Sequence, residues 1–306
     1  MRIGLNGGAA SVDRMIAQAV EAEADGFTSL WYASAIAGDP LVAMALAGRA
    51  TNTLELGTAV LQTYTCHPVL QAGRAASVVA AMGRSGFTLG IGPSHQSPIE
   101  GAYGMSYQHP GRHTEEYVKV IGPLLRGDSV GFDGDDYRVH WDGLGAPPAA
   151  PIPLLVSALA PRLLRVAGEL ADGTILWMAN ARAVERHVVP KIAAAARDAG
   201  RPQPRIVAGL PVAVHDDVDE ARRVAAEQFS GYGVLPNYRR ILDAGDAAGP
   251  ADAAIVGNEA AVTAQIGALF DAGATDVWAA MFGVGADKKA SRERTRALLK
   301  DLAAAG

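Results

Sequence analysis

The chain has a single cysteine, Cys66, in 306 residues. That excludes an internal disulfide framework and any metal site built from several thiolates. Long apolar runs are also missing. Nowhere do the ~20 uninterrupted apolar residues of a membrane-spanning helix occur. The opening Met1-Arg2-Ile3-Gly4-Leu5-Asn6 carries charge without the apolar stretch of a signal peptide. The expectation is a soluble cytoplasmic protein with no membrane partner. Positive charge is not in excess either: the formal net charge is −5, which argues against nucleic acid as a partner. A G-x-G-x-x-G run after the first strand is lacking too, since Gly4, Gly7 and Gly8 have the wrong spacing. This counts against a doubly wound dinucleotide-binding sheet.

What is present is apolar residue in quantity, 49% hydrophobic against 19% charged, enough for a large core. Short β-rich runs alternate with longer helical patterns. Strands are expected at Arg2–Asn6, Thr28–Ala33, Leu54–Val60, Phe87–Ile91, Leu154–Ser157, Thr174–Met178, Ile206–Val214 and Asp276–Met281. Between them run helices at Val12–Ala24 (with Ser11 as N-cap), Leu41–Thr51, Val69–Met82, His113–Leu125, Arg162–Leu170, Ala183–Ala199, Asp219–Phe229 and Glu259–Ala272. Ser291–Ala305 closes the chain. Eight strands alternating with helices predict an α/β fold, a (β/α)8 TIM barrel, as one domain over 1–306. Two insertions are expected: a β-hairpin near 129–139 around Asp133-Gly134 that decorates the barrel, and a helical excursion near 232–250.

In such a barrel the chemistry sits in the loops after the strands. Those loops here are poor in lysine and carboxylate, which counts against a phosphate-binding isomerase or aldolase. Leu56-Gly57-Thr58-Ala59-Val60 followed by His67-Pro68, then Gly86-Phe87-Thr88-Leu89-Gly90-Ile91-Gly92, resemble signatures of the luciferase-like monooxygenase superfamily. So do Pro153–Ala158 with Ala167–Gly173, and Ile255–Glu259 with Ala272–Asp276, in the same order along nearly the whole chain. Gly92-Pro93-Ser94-His95, His187-Val188-Val189-Pro190 and Tyr232–Tyr238 are similar to the actinobacterial branch that uses coenzyme F(420), an 8-hydroxy-5-deazaflavin.

The resemblance implies a deazaflavin-dependent oxidoreductase acting on a small-molecule substrate, with FMN as the alternative cofactor and a homodimer as the expected assembly. It also implies a non-prolyl cis peptide at Ala59–Val60 behind the ring system, so Thr58, Ala59 and Val60 are expected cofactor contacts. Gly90, Gly92, Pro93 and Ser94 join them, because glycine lets backbone approach a flat ligand. Ser157, Ala158, Leu159 and Ala160 precede a helix start suited to the cofactor phosphate, while Arg162 is a weaker candidate. His95 reads two ways, as a proton donor near neutral pH or as a loop histidine making a structural hydrogen bond. Asn6, Gly7, Ser34, His113 and Trp177 are expected around the substrate.

His109 and His113 have the i, i+4 spacing of a metal pair, but Pro110-Gly111 between them reads as a loop entering a helix, so no metal is expected. Arg112 and Glu116 read as an i, i+4 ion pair. Cys66 and His67, adjacent on extended chain, point apart, and Cys66 reads as a small buried residue. Where several deazaflavin enzymes carry an acid–His pair after the second strand, this chain has Ser34-Ala35. That departure favours reduction of an acceptor over oxidation of an alcohol. An FMN-dependent monooxygenase and a non-catalytic deazaflavin-binding protein remain the alternatives.

Overall fold

The computed structural model describes residues 1–33 and 39–305. Eight parallel strands form its centre: β1 (Ile3–Gly7), β2 (Ser29–Tyr32), β3 (Glu55–Thr58), β4 (Phe87–Gly92), β5 (Leu154–Val156), β6 (Gly173–Trp177), β7 (Arg205–Val214) and β8 (Asp276–Met281). Each pairs with the next, and β8 pairs back onto β1 with Ile3 opposite Val277, so the ring closes as a (β/α)8 barrel. All eight expected strands are there.

The strands read as they do because both faces are covered. In β5 the run Leu154-Leu155-Val156 is buried throughout, as a parallel strand between core and helices must be. Helix Val12–Ala24 starts where Ser11 accepts the Arg14 N–H and turns Met15, Ala19 and Ala22 inward, a 4–3 spacing that marks one helical face.

Inside the ring, Trp31, Leu155, Ile175, Val207 and Trp278 pack as a separate cluster. Two of these indoles lie flat on the strand beside their own. A Cβ at Gly57 would run into the Trp31 ring, and one at Gly209 into the Trp278 ring. Glycine at these two positions therefore lets a small barrel hold two tryptophans.

The N-terminal end of the barrel is stoppered by charge. Arg205 reaches Glu55 Oε1 at 2.6 Å and Asp276 Oδ1 at 2.6 Å, and Arg2 joins the same two carboxylates at 2.6 and 2.7 Å. Asp276 is 2% exposed, so its charge depends on this pairing. The Arg205 guanidinium also sits 5.6 Å over the Trp31 ring.

Several local expectations change. The helix expected from His113 begins at Pro110, because proline is well placed at the first helical position. Arg112 and Glu116 do not pair with each other. Arg112 takes Asp135 and Asp136, and Glu116 accepts the backbone N–H groups of Asp135, Asp136 and Tyr137 at 3.1, 2.8 and 3.0 Å. Both side chains thus clamp the hairpin Val130–Asp133/Arg138–Trp141, which forms its own two-stranded sheet outside the barrel. The single helix expected at Ala183–Ala199 is broken by a π-helical turn at Val184–Val188 before Val189–Asp198. Pro190 accounts for this, since it has no N–H and crowds the carbonyl four residues back.

The excursion after β7 comprises a 3-10 turn at Ser230–Gly233 and a helix at Pro236–Ala244. A short strand not anticipated, Ile255–Gly257, adds to the far half of β7 outside the ring. Cys66 is partly exposed rather than buried, with its sulfur 3.6 Å from Arg74. Among the described residues, no helix is long and apolar enough to cross a membrane.

Candidate active site

Two adjoining cavities open at the C-terminal ends of the strands. The larger, about 420 Å³, is lined by the small residues Ala59, Val60 and Ser157, which follow β3 and β5. Trp177, Trp278, Phe229 and Tyr232 line it as well, with Asn6 and Arg292 completing parts of the lining. Trp177 and Trp278 stack with centroids 5.1 Å apart and an interplanar angle of 23°. The smaller cavity, about 90 Å³, shares Val60, Ser157 and Tyr238 with the larger and adds Gly92, Pro93, Ser94, His95, Leu159 and Ala160.

The local sequence explains how these walls arise. β3 stops at Thr58 and the chain resumes pairing with β4 only at Leu61–Gln62. Between them the Ala59–Val60 peptide is cis, at the position the resemblance implies. Thr58 is fully buried and ties the break to β4, donating to the Gly90 carbonyl at 2.7 Å and accepting the Gly90 N–H at 2.8 Å. After β4, Ser94 adopts a left-handed φ of 62°, rare for a residue with a side chain. Its carbonyl is held by the Tyr107 hydroxyl at 2.7 Å. Met178, just past β6, is likewise left-handed at φ 64°. Backbone in this sparsely populated region clusters at functional loops.

Beyond β5, the helix Pro161–Leu170 has Ala160 as N-cap, and no side chain caps it. Its first-turn N–H groups are left for an external acceptor beside the smaller cavity. Arg162 turns away to pair with Glu115 at 2.9 Å. His187, which the sequence placed in a motif without a role, bonds the Leu159 carbonyl through Nε2 at 2.9 Å and so fixes this loop.

His95 is half-buried between the smaller cavity and an outer cleft lined by Gln96, Glu100, Tyr107 and Asn237. Burial lowers its pKa below the usual imidazole value. Near pH 7 the ring is therefore neutral, with one N–H and one lone pair. Its ring lies 5.5 Å from that of Tyr238, which the excursion helix delivers.

Of the residues expected at the site, Asn6, Ala59, Val60, Ser157 and Trp177 line the larger cavity. Gly92, Pro93, Ser94, His95, Leu159 and Ala160 line the smaller one. Thr58, Gly90 and Ala158 stand behind these walls as framework rather than lining. Gly7 lies beneath the Tyr32 ring, where β1 meets β2. His113 does not reach either cavity. It stacks on Tyr64 at 3.8 Å and lies 3.3 Å from the Tyr137 hydroxyl, because the earlier helix start turns it toward the hairpin. Ser34 lies outside the described residues. Arg292, Phe229, Tyr232 and Tyr238 were not anticipated as lining. They arrive on helices and turns well past the strand ends, where sequence pattern gives no sign of which face meets the mouth.

Comparison with known proteins places this architecture. The chain is 29% identical over 209 residues to 5,10-methylenetetrahydromethanopterin reductase of Methanolobus tindarius, the match covering 68% of this chain and 63% of that one. It is 28% identical over 187 residues to the F(420)-dependent glucose-6-phosphate dehydrogenase of Nakamurella multipartita, covering 60% and 55%. The matches thus span less than two thirds of the length of these curated relatives. The structure of the coenzyme F(420)-dependent tetrahydromethanopterin reductase of Methanopyrus kandleri superposes with a TM-score of 0.73 at 21% identity, over 96% of this chain and 97% of the other. Residues 2–305 match the family described as luciferase-like monooxygenase. Barrel, chain order and near-complete coverage agree: the chain belongs to the luciferase-like monooxygenase family.

Proposed function

We propose that the protein is an oxidoreductase that binds a deazaflavin of the coenzyme F(420) type and reduces a small organic substrate. The observation that carries this reading is the lining of the larger cavity, which joins the small residues Ala59, Val60 and Ser157 with the stacked Trp177 and Trp278. A cavity lined by small residues and stacked aromatics suits a flat ring system with a second flat molecule against it. The names of the relatives above support the same class of cofactor.

The residues present fit such a group. Ala59 and Val60 would back the ring, with Pro93 and Ser94 beside it. Ser157, Leu159, Ala160 and the uncapped start of helix Pro161–Leu170 would take its phosphate. Bound in its reduced form, the cofactor supplies a hydride and reacts poorly with oxygen. His95 supplies the accompanying proton, so that the substrate gains both. Because His95 faces the outer cleft as well as the smaller cavity, its neutral ring can collect a proton from solvent and pass it inward. The reductive direction rests on Ser34-Ala35 standing where an acid–His pair would serve alcohol oxidation.

Parallel titrations with deazaflavin and FMN, followed by absorbance, test the reading together with oxygen uptake over a panel of acceptors. The expected result is tighter deazaflavin binding and acceptor-dependent oxidation of the reduced cofactor without oxygen uptake. His95→Gln should slow that turnover by ~10²-fold or more, the range for loss of a general acid. Tighter FMN binding with substrate-dependent oxygen uptake would replace the proposal with a monooxygenase. Deazaflavin binding without turnover on any acceptor would replace it with a carrier.

A further inference from the structure

The lining of the larger cavity, rich in aromatic rings, includes one cation. Helix Lys288–Ala304 carries three arginines near its start, and two are committed. Arg294 binds Glu259 at 2.6 Å and Asp216 at 2.9 Å, and Arg296 binds Asp25 at 2.7 Å. Arg292 lines the cavity and has no hydrogen-bond or ion-pair partner among the described residues.

No carboxylate lines that cavity. Of the residues outside the description, Ser-Ala-Ile-Ala-Gly at 34–38 carry no carboxylate side chain either, and neither does Gly306. The first turn of the helix contributes Lys288 and Lys289, and the acid that precedes them, Asp287, is spent as the N-cap on the Lys289 and Ala290 N–H groups. Glu293 answers Lys289 at 3.7 Å, so at the cavity it is the charge of Arg292 that is left without a counterpart among the described residues.

We infer that the substrate of this cavity carries an anionic group, a carboxylate or its equivalent, which pairs with Arg292 while its flat unsaturated body lies against Trp177 and Trp278. The inference deepens the functional reading above and rests on it for the word substrate. The anion is assigned to the substrate rather than to the cofactor tail because of position. The uncapped helix start suited to a cofactor phosphate lies after β5 beside the smaller cavity, whereas Arg292 follows β8 and lines the larger cavity without reaching the smaller one.

Isothermal titration with cinnamate and with its neutral isostere cinnamamide tests this on the wild type, Arg292→Gln and Arg292→Lys. Deazaflavin affinity is measured separately on each, and thermal melts check folding. Wild type should prefer cinnamate by about tenfold or more, and the preference should shrink as salt screens the pair. Arg292→Gln should bind both probes alike, and Arg292→Lys should keep most of the preference. Deazaflavin affinity should be the same in all three. Equal affinity of the wild type for both probes would overturn the inference, as would a preference that survives Arg292→Gln. A loss of deazaflavin affinity in Arg292→Gln with cinnamate binding intact would also overturn it, by giving the cation to the cofactor. If wild type binds no deazaflavin yet loses its cinnamate preference with Arg292, the charge assignment stands and only the cofactor reading falls.

Discussion

Replacing Gly209 by alanine should disturb stability and the site together, through a single ring. Gly209 pairs with Trp278 across β7 and β8, and the Trp278 indole lies flat over it. An added methyl would fall far inside the roughly 3.5–4.0 Å of ordinary carbon contact, so the ring must retreat by on the order of 1 Å. It has little room, because Trp177 stacks on it at 5.1 Å and the rest of the interior cluster is packed around it. Overpacking of this kind costs about 1–3 kcal/mol. At ~2.1 cal/mol/K of unfolding entropy per residue, a chain of this length loses roughly 2–5 °C of melting temperature. The displaced pair should also change the near-ultraviolet circular dichroism and weaken binding of a flat ligand.

Gly73→Ala is the matched control. It lies mid-helix with nothing within 4 Å of an added Cβ, and should gain about 0.5–1 kcal/mol from helix propensity alone. Calorimetric melts of both variants decide the matter. A Gly209→Ala protein that melts with the wild type and keeps its tryptophan signal would refute the packing argument. So would a Gly73→Ala protein that is equally destabilised.

Arg205→Met should leave Glu55 and Asp276 at the closed end of the barrel with the half-exposed Arg2 as their remaining cationic partner. Breaking a buried pair costs about 3–5 kcal/mol. The melting temperature should fall by roughly 5–8 °C while deazaflavin affinity, read at the opposite end, stays the same. Acid stability should depend visibly on Glu23. Partial burial pushes its pKa up, but the N–H groups of Thr53, Leu54 and Asn52 prevail and hold it at about 2. An unfolded glutamate titrates near 4.3, so the stabilisation is complete above that pH and is lost as pH falls toward about 2. Urea melts between roughly pH 6 and pH 3 should show Glu23→Gln less stable at the upper end, with the gap to wild type narrowing as pH drops.

The barrel was legible because its strands advertise themselves. Pro153-Leu154-Leu155-Val156 is an apolar run entered through proline, and Asp276–Met281 follows the helix stop at Gly273. Pattern reading failed where tertiary contact chose the outcome. Arg112 had Glu116 at the right helical spacing, yet the hairpin arrived with two aspartates and took it. His113 looked toward the mouth only so long as its helix was thought to begin there. The strand Ile255–Gly257 is three residues long and indistinguishable from loop until β7 pairs with it. Small and glycine-rich lining after β3, β4 and β5 showed in the sequence because it lies directly at strand ends. Arg292 and Tyr238 did not, because each is carried to the mouth by a helix that begins only after a loop.

The charged stopper has a consequence for traffic. Arg2, Glu55, Arg205 and Asp276 close the lower end. The Trp31, Leu155, Ile175, Val207 and Trp278 cluster fills the ring, so the cavity is a well with a packed floor rather than a tunnel. Two molecules sharing a well cannot exchange independently: the one nearer the floor enters first and leaves last. The order of addition and release would then be a property of the ground plan, fixed by the closed floor of the barrel.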